Sequence, residues 1–228
     1  MMKKFYTVLH VATRPQALIN AAYAYSNGAD GIFLINHSID TEYLLEIYLA
    51  VRAHYPDKWI GLNFLGMDAN KAMQFLPSDA DGLWTDNAAI DETGTNIVPQ
   101  KWYEAFKKAH PRCTYFGGVA FKHQRHVDEL ELAAEKARPC MDVICTSGPA
   151  TGLAADIEKI QRLYSARGEK TLALASGITP ENVSEYLPCA DHFLVATGIS
   201  SSFYMLDPGK VKLLADKIKE YNGTFLTD

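Results

Sequence analysis

Two hydrophobic periods alternate along the chain. Nearly continuous apolar runs occupy residues 6–12, 30–36, 58–64, 81–86, 114–121, 142–146, 171–175 and 192–197. Each is followed by a stretch whose apolar residues recur every three or four positions, as in Leu44, Ile47, Tyr48 and Val51, or Ile157, Ile160, Leu163 and Tyr164. Apolar runs of this length without polar alternation fit strands buried on both faces, and the wider spacing fits amphipathic helices that cover them. The pattern predicts eight strand and helix pairs around a parallel sheet.

Punctuation sharpens the count. Thr179 with Pro180 and Glu181 predicts an N-cap, a first-turn proline and an acidic first turn for the seventh helix, and Asp207 with Pro208 repeats the device before Val211, Leu214 and Ile218. The tetrapeptides GADG at 28–31, DADG at 79–82 and CADH at 189–192 each precede a strand, an internal echo of one unit. Eight units averaging about 28 residues match a (β/α)8 TIM barrel of roughly 250 residues. A doubly wound open sheet would want a G-x-G-x-x-G turn after its first strand, which is missing. No linker or shift in composition divides the chain, so one barrel domain is expected over 1–228.

Composition narrows the function classes. With 228 residues, 48% hydrophobic and 21% charged, the chain has the make-up of a globular protein and not of a disordered one. Lysine and arginine number 22 against 27 acidic residues, a net charge of −5 without a basic run, which argues against nucleic acid as a partner. The N-terminal MMKKFYTVLHVATRP is interrupted by Thr7 and His10 and ends on Arg14 and Pro15, so it reads as a strand and not as a signal peptide. No run reaches the roughly 18 apolar residues of a spanning segment, and a cytoplasmic protein is expected. Cysteines 113, 140, 145 and 189 form no CxxC pair, which predicts reduced, buried thiols and no zinc site, with Cys145 a remote candidate nucleophile.

In such a barrel the carboxyl ends of the strands and the loops after them form the active face. That rule selects His10, Asn36, His37, Asn63, Asp86, Asn87, Lys122, His123, Thr146, Ser147, Ser176, Gly177, Thr197 and Gly198. An asparagine or serine at a strand end can equally be a backbone cap. Two glycine turns, SGIT at 176–179 and ATGIS at 196–200, follow the seventh and eighth strands, the recurrent phosphate position of this fold. Their backbone N–H groups, at Ser176, Gly177, Ile178, Thr197, Gly198 and Ile199, could form an anion nest aided by a helix N-terminus, or the glycines could simply make tight turns. Lys122 could form a Schiff base, donate a proton, pair with an anion or lie at the surface. Asp86 is the candidate general base, with Asn63, Asn36, His10 and Ser147 as polar partners of the ligand. His123 and His126 lack a third metal ligand, so neither metal nor cofactor is expected. The long segment 88–99 could act as a lid.

GADGIFLINH, IGLNFLGMDAN, GGVAFKHQ, MDVICTSGPATG, ASGITPENV and ADHFLVATGIS, in this order and spacing, resemble the photosystem I biogenesis protein family (BtpA family), members of the phosphate-binding TIM-barrel group. The resemblance implies a barrel, a phosphate site at Gly177, Ile178, Thr197 and Gly198, and a pocket containing Asn63, Lys122, Thr151 and Gly152; it implies no particular reaction. The chain departs from the family pattern at Ile35, where an acidic residue would stand beside Asn36, at Asp86, where an asparagine would stand, and at GISSSFYM, where a lysine would follow the eighth strand. Ser200 and Ser201 then become candidate phosphate donors. The expected function is an enzyme acting on a small phosphorylated metabolite, a sugar phosphate or a nucleotide-derived phosphate. The rival is a non-catalytic assembly factor that keeps the pocket as a ligand sensor. A homo-oligomer is expected, with Tyr43, Tyr48, Phe203 and Tyr204 as candidate contact aromatics.

Overall fold

The computed structural model describes residues 2–224. Eight parallel strands, β1 (Lys4–Val11), β2 (Gly31–Asn36), β3 (Ile60–Asn63), β4 (Gly82–Thr85), β5 (Thr114–Gly118), β6 (Val143–Ser147), β7 (Thr171–Ala175) and β8 (His192–Val195), close into a barrel in chain order. The seam is the β8 to β1 pairing, with Tyr6 opposite Leu194. Helices α1 (Arg14–Ser26), α2 (Thr41–His54), α3 (Ala69–Phe75), α4 (Ile97–Ala109), α5 (Leu130–Ala137), α6 (Ile157–Ala166), α7 (Val183–Tyr186) and α8 (Pro208–Gly223) lie between and after them. The TIM barrel expected from the alternating periods is the fold observed.

Strand residues alternate between two cores, as a period of two requires. Phe5, Leu9, Ile32, Leu34 and Leu62 face the helices, whereas Tyr6, Val8, Phe33, Ile35, Trp84, Phe116, Cys145 and Leu194 fill the barrel. The amino-terminal end of that interior is closed by rings: Tyr6, Phe33, Trp59 and Phe116 meet at centroid distances of 4.5–6.2 Å. A side chain at Gly82 would lie 2.3 Å from Trp59, so glycine there is the space the indole occupies. With the bottom plugged, the barrel opens only at the carboxyl ends of its strands.

The recurring Ala-Asp of the sequence has a mechanical meaning. Asp30 Oδ2 accepts from the Phe5 N–H, Asp81 Oδ2 from Ile60, Asp142 Oδ2 from Tyr115 and Asp191 Oδ2 from Leu172, at 2.8–3.1 Å. Each even strand is thus immediately preceded by a carboxylate that caps the start of the odd strand before it. Each carboxylate also meets a cation: Lys4, Arg52, Lys107, and the pair Lys3 and Arg167 respectively.

Several boundaries differ from the sequence expectation. The fifth strand stops at Gly118 because Ala120 turns into positive φ (49°). The seventh helix is a single turn from Val183, not a helix opening at Pro180. Thr179 Oγ1 does accept from the Glu181 and Asn182 N–H groups, but Asn182 bonds back to the Thr179 N–H and to the Gly177 carbonyl, closing a turn instead. The eighth helix begins as expected, with Asp207 capping Gly209 and Lys210. Before it stands an unexpected hairpin, β9 (Ser200–Ser202) and β10 (Met205–Leu206). All four cysteines are free and buried, and burial inside the barrel drives the Cys145 thiol well above the usual range, which removes it as a nucleophile. Tyr48 is wholly buried with its hydroxyl on Asp79, so it is no contact aromatic. Among the described residues no helix is long and apolar enough to cross a membrane.

Candidate functional site

Where the strands end, a cavity of about 220 Å³ opens above the barrel interior. Its floor is Val8, Ile35, Trp84, Ala175 and Leu194, and its rim carries His10, His37, Asp86, Lys122, Ser176, Gly177, Ile178, Thr197 and Gly198. The strand-end rule therefore collects nine of its residues at one place, His10, His37, Asp86, Lys122, His123, Ser176, Gly177, Thr197 and Gly198, and Ile178 of the first glycine turn joins them. Thr151 and Gly152 line it too.

The glycine side is built from three loops in backbone contact. A Cβ on Gly177, whose φ is +74°, would lie 2.2 Å from the Leu153 carbonyl oxygen, and one on Gly198 would lie 2.0 Å from that of Ile178. Among the described residues the N–H groups of Gly177, Ile178 and Gly198 have no intramolecular acceptor. Thr197 adds an exposed hydroxyl on the same rim. The helix contribution expected there is absent, because α7 is one turn long and α8 starts beyond the hairpin.

The opposite side holds a carboxylate and an amine. Asp86 Oδ1 accepts from Asn63 Nδ2 at 2.9 Å. Burial raises the Asp86 pKa above the ordinary carboxylate value, and the Asn63 bond and the nearby Lys122 charge oppose that rise. Lys122 Nζ donates to Thr151 Oγ1 at 3.1 Å. Its backbone N–H donates to Ser147 Oγ at 2.8 Å, which fixes the turn that presents it. Ala120, His123 and Ser176 all have positive φ (49°, 65° and 86°), so the rim is held in backbone conformations that non-glycine residues seldom adopt.

Several assignments from sequence change. Asn63 is 1% exposed and orients Asp86 without lining the cavity. Asn36 caps the backbone, accepting from Leu65 and donating to Ile39. Ser147 is fully buried and bridges Lys122 and Gly148. Ser176 Oγ bonds Ala150 and Gly152, so its hydroxyl ties the loops together, although the residue lines the cavity. Ile199 is buried and its N–H donates to the Ala196 carbonyl. Ser200 and Ser201 likewise donate to Ala196 and Met205. In every case but that of Asn63, whose partner is the Asp86 side chain, a nearby backbone group is the partner of the polar atom.

Other features were not visible in the sequence. Lys159, on α6, donates to the Ala120 and Ser147 carbonyls and so clamps the ends of β5 and β6; burial pulls its pKa down to about 8. Its only sequence signal is a lysine beside the buried Ile160. The segment 88–99 is fastened outside the cavity: Glu92 pairs with Arg125 at 2.7 Å, and Lys136 donates to the Glu92 and Gly94 carbonyls. No residue of it lines the cavity, so it is not positioned as a lid. His123 and His126 lie in a loop, and no group of three metal-ligating side chains occurs among the described residues.

Known proteins share both pattern and fold. The family model of the BtpA family matches residues 85–220. Phosphoribosyl anthranilate isomerase from Thermus thermophilus superposes with a TM-score of 0.67 at 15% identity, over 96% of this chain and 99% of that one. Orotidine 5'-monophosphate decarboxylase from Methanocaldococcus jannaschii gives 0.66 at 14% identity, over 94% and 98%. (S)-3-O-geranylgeranylglyceryl phosphate synthase from Thermoplasma acidophilum, in complex with its substrate sn-glycerol-1-phosphate, gives 0.66 at 15%, over 96% and 94%. At such identities the likeness is one of fold. No curated protein matches the chain by sequence.

Proposed function

The chain belongs to the BtpA family, and from that premise we propose that it is an enzyme acting on a small phosphorylated metabolite bound at the barrel mouth. The observation that carries this reading is the meeting, in one cavity of about 220 Å³, of a glycine nest with a half-buried carboxylate and a lysine. Gly177, Ile178 and Gly198 hold the phosphate by backbone N–H groups and Thr197 by its hydroxyl. Three proteins of the same fold are named for phosphorylated compounds, which supports a phosphorylated ligand.

Chemistry then falls to the far wall. Asp86, its pKa raised above the ordinary carboxylate value by burial and its side chain aimed by Asn63, is the base that takes a proton from the substrate. Lys122, steadied by Thr151 and Ser147, stabilises the negative charge that develops. His10, held near a pKa of about 4 by burial and by His37, is neutral at physiological pH and serves as a hydrogen-bond partner, not a charge. A sensor without catalysis would need the nest but not a half-buried carboxylate beside a lysine.

Ribose 5-phosphate at about 100 times its Kd should raise Tm by roughly 5–10 °C. Lys122→Ala should abolish most of that rise, and a sulfate-soaked crystal should hold the anion at residues 177 and 198. A protein unmoved by inorganic phosphate, ribose 5-phosphate and glycerol phosphate alike would refute the reading.

Asp86→Asn gives a separate signature. The amide keeps the acceptor for Asn63 but removes a partly desolvated charge, so without ligand the variant should melt a few degrees higher at pH 8. Because burial raises the native pKa, the wild type loses stability as pH climbs from the ordinary carboxylate range through the native value. The gap between the proteins should therefore close in acid. A constant gap, or a lower Tm for the variant at pH 8, would show that the charge is not destabilising.

A further inference from the structure

The mouth cavity, at about 220 Å³, falls below the range of about 300–1,000 Å³ usual for metabolite sites. A ligand of ordinary size must extend out of it. Two recesses adjoin. One, of about 800 Å³, lies beyond Lys122 and His123 between the loops after β5 and β6. Its cations are already engaged: Arg125 with Glu92, Arg162 with Glu131, and Lys159 with two carbonyls. The other, of about 300 Å³, shares His10 and Thr197 with the mouth and is completed by Ser200, Ser201, Ser202 and Phe203.

That second recess is walled by rings. Phe203 lies 4.2 Å from His10 and 5.1 Å from His37 between centroids, and the two imidazoles are 4.6 Å apart. Phe203 remains 49% exposed even so, an aromatic presented to solvent beside the cavity. It is presented firmly. The neighbouring Tyr204 carbonyl accepts from Gln16 at 2.6 Å and Asn20 at 2.7 Å, and the Tyr204 hydroxyl bonds Ser38. The Phe203 carbonyl can only accept, so the neutral His10 carries its proton on Nδ1 and bonds it at 3.1 Å. His10 Nε2 is left as an acceptor. Burial lowers the pKa of both imidazoles, so the wall is uncharged at neutral pH. On the floor below, Trp84 is 5% exposed and its Nε1 donor has no partner among the described residues.

We propose that the ligand carries an uncharged planar ring which stacks on Phe203, beside His10, while its phosphate occupies the turns at 177 and 198, so that the substrate class is a nucleoside 5'-monophosphate or a phosphopentose bearing a comparable ring. The inference rests on the phosphate reading above and adds the second end of the molecule. An open aromatic face attracts a flat ring through area and dispersion, whatever the base, and the wall offers an anionic ring no countercharge.

Isothermal titration with ribose 5-phosphate, uridine 5'-monophosphate and adenosine 5'-monophosphate tests it, using the wild type and Phe203→Ala. Phe203 is half exposed, so the variant should fold, which its Tm verifies. At least one nucleotide should bind about tenfold or more tightly than ribose 5-phosphate. Phe203→Ala should remove about tenfold from that nucleotide, leave ribose 5-phosphate within twofold, and be rescued by Phe203→Tyr. If ribose 5-phosphate binds and neither nucleotide improves on it, or if the variant weakens all three alike, the ring proposal falls and the phosphate reading stands. If none of the three binds, both fall together.

Discussion

Gly177→Ala is expected to lower stability by about 3 kcal/mol, a Tm drop of roughly 6–12 °C for a chain of this size, and to abolish the thermal response to phosphate. The residue sits at φ +74°, and its new methyl would meet the Leu153 carbonyl oxygen at 2.2 Å and Ala154 Cα at 2.4 Å. Both are backbone atoms, which cannot swing aside as a side chain can, so two loops must separate. Those loops carry the nest. Gly66→Ala is the matched control, since it has the same sign of φ (+77°) but nothing within 4 Å of the added methyl. It should cost only the left-handed conformation, about 1–2 kcal/mol, and leave the phosphate response intact. Equal losses in the two variants would mean that the close approach of the loops carries no weight.

Asp191→Ala should be the most damaging change at the closed end of the barrel, at about 3–5 kcal/mol. Its carboxylate is 1% exposed; it meets Lys3 Nζ at 3.2 Å and Arg167 Nε at 3.3 Å, and accepts from the Leu172 N–H at 3.1 Å. Lys3 is itself only 5% exposed, so removing its partner strands a charge out of water. The homologous position Asp30 pairs with a Lys4 whose side chain is 43% exposed, and there water takes over much of the interaction. Asp30→Ala should therefore cost about 1–2 kcal/mol, chiefly for the Phe5 N–H it caps. Urea denaturation with unchanged m-value measures both. Similar midpoints for the two variants would show that burial does not decide the cost.

The barrel was legible because its information is local and periodic. Eight apolar runs appear in order, and the run 171–175 coincides with β7. The fine structure of the rim was less legible for a physical reason. A polar residue at a strand end looks the same whether it faces a ligand or a nearby peptide group, and Asn36, Ser147 and Ser176 found peptide groups. Asn63 found another side chain, Asp86. The hairpin at 200–206 could not be read at all. Its strands lack alternation, and it is tied through Gln16 and Asn20 from the far end of the chain. Similarly, the echo of Ala-Asp missed Asp142, which follows Met141 and shares the geometry without the motif. The mouth residues that matter to the proposal, Asp86, Lys122 and the two glycines, were found by one rule about strand ends.

The four capping aspartates also divide the barrel into quarters. Each carboxylate reaches back by one strand only, from β2 to β1, β4 to β3, β6 to β5 and β8 to β7. During synthesis an odd strand therefore emerges without its cap and acquires it when the next strand arrives. A chain cut between β4 and β5 leaves both halves with every such clamp intact, whereas a cut between β3 and β4 parts Ile60 from Asp81. The Lys3 to Asp191 ion pair is of another kind, because it joins the first and last quarters and can form only when the ring closes. For this chain, even-numbered strand ends are the places where fragments could be separated, permuted or recombined with their caps retained.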